Sequence, residues 1–363
     1  MRTRSSIEGV VRPLISVLLA LVVSSVIMML THYSPLIVFS SLISGAFGNL
    51  PNFGSTLVDF IPLAVMGVGL AFCFQSGLFN IGAEGQYWVG AFAATLVGVH
   101  FASLPLVIHV AFALLAGTVA GAAVAAVPGV LKAYRGAHEV ITTMMLSYAA
   151  IEFGHYLVES GPLSQPGSIP QSYPFANSAS LQPIIPTTQL SAAIFVALAA
   201  IVFGAWLLYR TRLGLGIQIL GKNPKAARVA GLSVPVLTIL GLSISGAFAG
   251  LAGGLQMVGV THQLFDGFSD QFGFTAIVVA LLARNNPWAV VPSAMLFAAL
   301  YSGAQAMQIT AGIPVELSFV IQGLIVFFVA ADRLLDAAVR GKWLQRPQGP
   351  KPVKPALEAK EVG

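Results

Sequence analysis

The sequence has few charged residues and a single cysteine. Only 9% of its 363 residues are Asp, Glu, Lys or Arg, and 56% are hydrophobic, whereas a soluble domain usually carries about 25% charged residues. A soluble fold could not bury this much apolar surface, so the composition indicates a membrane protein. Cys73 is the only cysteine, which excludes an intramolecular disulfide and argues against a cysteine-based metal site.

The sequence also lacks a recognisable catalytic triad or metal-ligand cluster. The run from Gly216 to Lys222 has the spacing of a phosphate-binding loop, but Asn223 stands where a Ser or Thr would hold Mg²⁺. No β-strand pattern precedes this run. We therefore expect a chain that is not an enzyme, with no catalytic residues, no cofactor and no metal.

All 18 basic residues fall into short clusters, and the long apolar stretches between clusters contain none. The clusters are Arg2, Arg4 and Arg12; Lys132 and Arg135; Arg210, Arg212, Lys222, Lys225 and Arg228; Arg284; and residues 333–360. Basic residues concentrate in the cytoplasmic loops of membrane proteins, so each basic-free stretch must hold an even number of spans. The net charge of +5 then reflects orientation and anionic lipid, and we expect no nucleic-acid binding.

A span needs about 20 apolar residues, and this length predicts an all-α polytopic protein of about ten transmembrane helices with both termini in the cytoplasm. The first apolar run is also compatible with a signal peptide, but its length and the lack of a small-residue cleavage site favour a retained span. The short apolar segment 35–50 is interpreted as an interfacial or re-entrant helix. The predicted spans are residues 14–31, 57–75, 84–101, 104–131, 139–158, 190–209, 235–260, 272–283, 288–308 and 314–332.

The chain is predicted to form one transmembrane domain over residues 1–340. Residues 341–363 carry four prolines among lysine and glutamate, which predicts a disordered, basic cytoplasmic tail. Residues 161–189 are rich in Pro, Ser, Gln and Asn and hold no basic residue, so we expect an extracytoplasmic loop without a packed core of its own. Glycines four residues apart, at 117 and 121 and again at 246, 250 and 254, predict close helix packing.

Two polar, glycine-containing runs interrupt the apolar pattern. The first, Gln75 to Gln86, contains three glycines, and backbone freed from a helix at membrane depth is tolerated only where it is buried in protein or lines a polar cavity. This favours a broken helix beside a substrate path, although a cytoplasmic turn in which Glu84 caps the next helix is the alternative. The second run, residues 266–273, suggests an inverted structural repeat, although the residues themselves do not repeat.

A short helix is predicted in the largest cytoplasmic loop. Asn223 is a favoured N-cap, Pro224 is favoured in the first turn, and Gly231 is favoured just past the end. The helix over residues 224–230 has small alanines on one side and basic residues on another. Docking into the groove of a partner protein and contact with lipid headgroups both fit this pattern.

Three motifs resemble permease subunits of bacterial ABC importers in the sugar/nucleoside and branched-chain amino acid superfamily. The likeness extends over about residues 57–332, and the combination is more specific than any one motif. The form at 79–86 is most similar to nucleoside-type permeases, whereas His138 departs from the Asn expected before Glu139. The motifs are the runs from Gly77 to Gln86, from Glu139 to Leu146, and from Thr211 through Gly221 and Ala227 to Gly231.

The resemblance implies one of two transmembrane subunits of an importer in the bacterial cytoplasmic (inner) membrane, which moves nucleosides by alternating access. It implies three partners: an ABC ATPase subunit that hydrolyses ATP, a second permease subunit, and an extracytoplasmic substrate-binding lipoprotein. The implied ATPase-coupling residues are Asn223, Pro224, Lys225, Ala226, Ala227 and Arg228. The expected substrate-pathway residues, which would bond a ribose or stack on a base, are Phe79, Asn80, Glu84, Gln86 and Trp88.

Other classes of transporter stay open from the sequence alone. An importer permease for simple sugars, or for another small polar solute, would share the same motifs. A secondary transporter or channel driven by an ion gradient is a different class. The candidate buried ionisable residues are essentially Asp59, Glu84 and Glu152, and so short a set argues against a proton relay without excluding one.

Overall fold

A computed structural model of the chain describes residues 2–339 except residue 168, with side chains described from Ile15 to Val329. The predicted tail, residues 341–363, lies outside the described residues. The described part of the chain is helical, with three isolated β-bridges in its loops. Its helices are α1 (Arg2–Leu30), α2 (Pro35–Phe47), α3 (Leu50–Gln75), α4 (Ala83–His100), α5 (Leu106–Arg135), α6 (Glu139–Glu159), α7 (Ala193–Arg210), α8 (Arg212–Lys222), α9 (Pro224–Val229), α10 (Val234–Gln256), α11 (Phe272–Leu282), α12 (Pro287–Ala311) and α13 (Glu316–Val339).

A helix overlaps each of the ten predicted spans, and the all-α fold class is confirmed. The number of spans and the inverted repeat stay predictions. Within the described residues, five helices are long and apolar enough to cross a membrane by length and composition: α3, α5, α7, α12, and α10 with the π-helical turn that extends it to Thr261. The apolar parts of α1, α2, α11 and α13 are shorter. Helix α8 lies in a segment interpreted from the sequence as cytoplasmic loop.

Helix α3 is the central helix of the bundle. Every residue from Phe60 to Phe74 is buried, because this run is apolar all round and can pack neighbours on every face. It begins at Leu50, seven residues before the predicted start of the span, because Asn49 caps it. The Asn49 side chain accepts the Asn52 backbone N–H at 2.8 Å, and Pro51 occupies the first turn.

Glycines bring α4, α5 and α10 into backbone contact, which confirms the predicted packing role of the glycine spacing. A Cβ atom placed on Gly117 would lie 2.9 Å from the carbonyl oxygens of both Gly90 and Gly250. One placed on Gly121 would lie 2.8 Å from the Gly250 Cα. No side chain larger than hydrogen fits here, so the three helices form a close-packed unit.

The loop over residues 161–189 pairs with the segment that follows α10. The Ser172 N–H donates to the Leu264 carbonyl at 2.6 Å, and the Phe175 N–H donates to the His262 carbonyl at 2.9 Å. The Asp266 N–H donates to the Pro170 carbonyl at 3.0 Å. The loop thereby fixes the chain just before the second glycine-containing interruption.

Candidate functional site

Glu84 joins the two interruptions that the sequence shows in separate halves of the chain. It lies in the first turn of α4 and is 3% exposed. Its Oε1 atom accepts the Trp88 indole N–H at 3.2 Å and the Ser269 hydroxyl. Its Oε2 atom accepts the Gly273 backbone N–H at 2.6 Å. Residues 76–82 and 266–271, both irregular, therefore meet at one carboxylate.

The carboxylate caps a helix, but not its own. Gly273 is the second residue of α11, where backbone N–H groups have no partner within the helix and the helix dipole favours a negative charge. Glycine is required at this position because a Cβ atom would lie 2.5 Å from the Glu84 Cα. Glu84 is therefore a buried cap of α11 and not of its own helix α4, which was the capping role considered from the sequence.

Two buried amides hold the broken segment in place. The Asn80 Nδ2 donates to the Gln86 Oε1 at 2.8 Å, and the Gln86 Nε2 donates to the Asn80 Oδ1 at 3.1 Å. The Asn80 Nδ2 also donates to the Ser245 hydroxyl of α10 at 3.0 Å, and its Oδ1 accepts the Gly82 N–H at 3.0 Å. Asn80 and Gln86 use their polar atoms within the chain, which gives both residues a clear positioning role.

Hydroxyl groups of α6 satisfy backbone groups that the break in the helix leaves free. The Gly85 N–H donates to the Ser147 hydroxyl at 2.8 Å, and the Ile81 N–H donates to the Thr143 hydroxyl at 3.3 Å. Buried backbone N–H groups need such partners. The broken backbone is thus buried in protein, and the run from Glu139 to Leu146 supplies one of its hydrogen-bond partners.

The two aromatic residues expected to stack on a base differ in exposure. Phe79 is 36% exposed, and its ring stacks on Phe74 at 4.5 Å. Trp88 is 3% exposed and packs edge-on against Phe268 and His155, with ring centroids at 4.5 and 5.2 Å. Of the five pathway residues named from the sequence, Phe79 alone has an open face. Their role in the pathway stays a prediction.

The short helix predicted over residues 224–230 is confirmed as α9, Pro224–Val229. The Asn223 side chain accepts the Lys225 and Ala226 N–H groups at 2.9 and 3.2 Å, and Gly231 ends the helix with a φ of +77°. Ala227, one of the implied coupling residues, has a side chain that is fully buried against the chain, and the role of the six residues in coupling stays a prediction. Ala226, Lys225, Arg228 and Val229 are exposed.

The hairpin of α8 and α9 touches the beginning of the broken segment. A Cβ atom on Gly77 would lie 3.2 Å from the Gly221 Cα, and the φ of Gly77 is +76°. A cavity of about 340 Å³ lies beside this contact. Its lining includes Leu78 of the broken segment, Pro224 and Arg228 of α9, and the ion pair between Lys132 and Glu139, whose charged atoms are 2.8 Å apart.

A second cavity, of about 330 Å³, lies between α12 and α13 beside Asp270. The sequence analysis missed it, although the signal was present. Tyr301, Gln305 and Gln308 lie on one face of an apolar helix at spacings of four and three residues. The lining residues are Asp270, Tyr301, Ala304, Gln305, Gln308, Ile309, Val315, Ser318, Phe319 and Gln322.

Comparison with known proteins decides the family. The sequence pattern of the family described as branched-chain amino acid transport system, permease component, matches residues 52–330. The chain belongs to this permease family. Members are transport components and not enzymes, and the apolar helices agree with a multi-pass protein of the cytoplasmic membrane.

Three curated relatives of the permease cover most of its length. It is 36% identical over 324 residues to the guanosine ABC transporter permease protein NupP of Bacillus subtilis, over 88% of this chain and 92% of the relative. It is 34% identical over 331 residues to the glucose ABC transporter permease protein TsgB13 of Haloferax volcanii, over 87% and 86%. It is 30% identical over 333 residues to the nucleoside ABC transporter permease protein NupB of Lactococcus lactis, over 89% and 91%.

Proposed function

We propose that this permease is one of two transmembrane subunits of an ABC importer that moves nucleosides across the cytoplasmic membrane by alternating access. The observation that carries the proposal is the full-length similarity to guanosine and nucleoside permeases. The proposed partners are an ABC ATPase, a second permease subunit and an extracytoplasmic substrate-binding lipoprotein. The proposal includes about ten spans, with both termini and the loops around Lys132 and α8–α9 in the cytoplasm.

We propose α9 as the element that docks on the ATPase. Its exposed residues Lys225, Ala226 and Val229 are available to a partner, and Val229 is 90% exposed. Displacement of α9 would act on Gly77 through Gly221, because the two glycine backbones are in contact. The broken segment leads from there to Glu84, which holds the start of α11.

This connection supports alternating access. One irregular segment precedes α4 and the other lies between α10 and α11, and the hydrogen bonds of Glu84 join them. Such paired discontinuities occur at the substrate sites of transporters with inverted repeats. A shift of the broken segment would move the α11 segment with it, and we propose that this movement opens one side of the pathway while closing the other. Phe79 and its polar neighbours remain proposed pathway residues.

The second candidate function is import of a simple sugar, which the similarity to a glucose permease favours. Both solutes are neutral and carry several hydroxyl groups. The test is uptake by proteoliposomes that contain this chain with its partner permease and ATPase. The substrate-binding lipoprotein (the receptor) is added outside the vesicles. Radiolabelled guanosine, adenosine, uridine and glucose are compared with ATP or ADP inside.

The proposal predicts ATP-dependent uptake of a nucleoside that unlabelled nucleosides inhibit and glucose does not. Uptake of glucose alone would replace the nucleoside function by the sugar function. An ionophore, which dissipates ion gradients, is the control that separates uptake driven by ATP from uptake driven by an ion gradient. Uptake that continues with ADP and stops when the ionophore dissipates ion gradients would identify a secondary transporter and contradict the proposal.

A further inference from the structure

We propose that the cavity between α12, α13 and Asp270 is a site where the transported solute contacts this chain, in addition to the pathway residues around Phe79, and that it recognises the hydroxyl groups of a neutral ribose-bearing solute. The inference rests on the proposed function and deepens it, because it names a substrate contact. The residues that carry the argument are Asp270, Tyr301, Gln305 and Gln308.

The polar lining of the cavity reaches membrane depth at Tyr301. Helix α12 has 25 residues, about 37 Å at 1.5 Å per residue, which exceeds the hydrocarbon thickness of about 30 Å. Tyr301 lies ten residues before Ala311, about 15 Å from that end of the helix. Gln305, Gln308 and Asp270 are exposed in this chain. Gln305 and Gln308 lie six and three residues before Ala311, about 9 and 5 Å from that end, so the polar face extends from the end of the helix to the depth of Tyr301. A polar face that reaches this depth faces a hydrated cavity or another protein rather than lipid.

Contacts elsewhere in the chain position one wall of the cavity. Tyr301, Gln305 and Asp270 line the same cavity, with Gln305 one helical turn after Tyr301 on α12. Asp270 follows Ser269 and precedes Gly273, the two residues that Glu84 holds. Glu84 therefore positions the loop that carries Asp270. A movement of the broken segment would change the position of Asp270, which connects the cavity to the proposed coupling helix.

The lining selects a class of solute. Among the described residues that line the cavity there is no Lys, Arg or His, so a phosphate or free carboxylate finds no cation. The absence of a cation argues against nucleotides and amino acids as solutes for this cavity. A carboxylate accepts two hydrogen bonds from adjacent hydroxyl groups, and glutamine amides both donate and accept. Phe319, 53% exposed, and Ile309 offer an apolar wall for a base. The volume is at the lower end of ligand sites, about 300–1,000 Å³.

The test is Asp270→Asn in the assembled complex, with Glu316→Gln as the matched control. Glu316 is exposed at the start of α13 and does not line the cavity. Uptake of guanosine and of 2′-deoxyguanosine is measured with one receptor preparation, so the receptor contributes equally to all variants. We expect Asp270→Asn to lower guanosine uptake about tenfold, as for the loss of one hydrogen bond to a charged group. The ratio of guanosine uptake to 2′-deoxyguanosine uptake should fall in Asp270→Asn. In Glu316→Gln, both uptake rates should match those of the wild type.

A second measurement does not depend on the folding of that variant. Gln308→Cys, in a Cys73→Ser background, is labelled with a small membrane-impermeant thiol reagent, with and without guanosine and receptor during turnover. Slower labelling with guanosine supports the site. Unchanged labelling, or unchanged uptake and preference in Asp270→Asn, overturns it.

The two proposals fail in different ways. A wild-type complex that imports glucose but no nucleoside contradicts the nucleoside function. Protection of Gln308→Cys by glucose would then support the cavity as a substrate contact, whereas the absence of protection by the solute that is imported would overturn it.

Discussion

Glu84 accepts the backbone N–H of Gly273 at 2.6 Å, across 189 positions of sequence. The contact joins the first turn of α4 to the first turn of α11 and brings two irregular segments together. In the sequence, each segment is only a glycine-containing interruption of an apolar run. In the structure, the two segments together form a chain of contacts that extends from α9 to the cavity beside Asp270.

Replacement of Glu84 by Gln is expected to destabilise the folded chain. The carboxylate accepts three hydrogen bonds, whereas an amide has one acceptor atom and would set its NH₂ group against a donor. We expect a loss of about 1–3 kcal/mol in the free energy of unfolding. Denaturant titration of the purified chain in mixed micelles measures it, with Glu316→Gln as the control. Equal stability of the two variants would show that the three bonds contribute nothing.

Gly273→Ala is expected to prevent the α4–α11 contact. The added Cβ atom would lie 2.5 Å from the Glu84 Cα and 2.8 Å from its Oε2, and this backbone cannot withdraw without moving α4. Gly323→Ala is the matched control, because a Cβ atom there has nothing within 4 Å. We expect the first variant to lose thermal stability and the second to keep it. A Gly273→Ala complex with wild-type thermal stability would contradict the packing described here.

Asn80 and Gln86 are expected to act as a coupled pair. Each side chain both donates to and accepts from the other, so removing either one leaves the other buried without its partner. In a double-mutant cycle of Asn80→Ala and Gln86→Ala, we expect an interaction free energy of about 1–2 kcal/mol. Unfolding free energies from the same titration give this value. Additive effects would mean that the pair does not hold the segment.

The exposed face of α9 predicts where a charge uncouples transport. Ala226 is exposed and Ala227 is fully buried. Ala226→Asp is therefore expected to leave the fold intact while reducing substrate uptake and the amount of ATPase that co-purifies. Ala227→Asp is expected to destabilise the loop itself. Ser233→Asp is the control, since it adds the same charge at an exposed position after α9. Normal uptake with Ala226→Asp would exclude this face as the docking surface.

The distribution of basic residues predicts the orientation. Ser233 and Thr187 are both exposed, and we expect them on opposite sides of the membrane. In a Cys73→Ser background, an impermeant thiol reagent added to intact cells should label Thr187→Cys and not Ser233→Cys. Cys73 is fully buried, so its replacement leaves the labelled surface unchanged. Labelling of Ser233→Cys from outside would reverse the proposed topology.

The sequence was sufficient to predict the helices, the two interruptions and α9, because each of these features depends on a local residue pattern. Apolar length defines the helices, three glycines mark the first break, and Asn223, Pro224 and Gly231 delimit α9. These signals act within about one turn of helix or one span. They do not depend on which segments become neighbours in the folded chain.

The remaining features depend on tertiary contacts that no local pattern encodes. The partner of Glu84 lies on α11, and the burial of Ala227 depends on how a helix of six residues settles against its neighbours. The polar face of α12, in contrast, could be recognised from local sequence. The spacing of Tyr301, Gln305 and Gln308 was visible in the sequence, but its meaning required Asp270 and α13 to be placed beside it.

The most direct test of the account is the number of nucleosides imported per ATP hydrolysed, in proteoliposomes with the complete complex. The wild type and Gly323→Ala are predicted to import guanosine in fixed proportion to ATP hydrolysis. Glu84→Gln is predicted to hydrolyse ATP while importing at least about tenfold less guanosine per ATP, the effect of losing one charged hydrogen bond in the connection. An unchanged ratio in Glu84→Gln, or guanosine import by the wild type without ATP, would contradict the account.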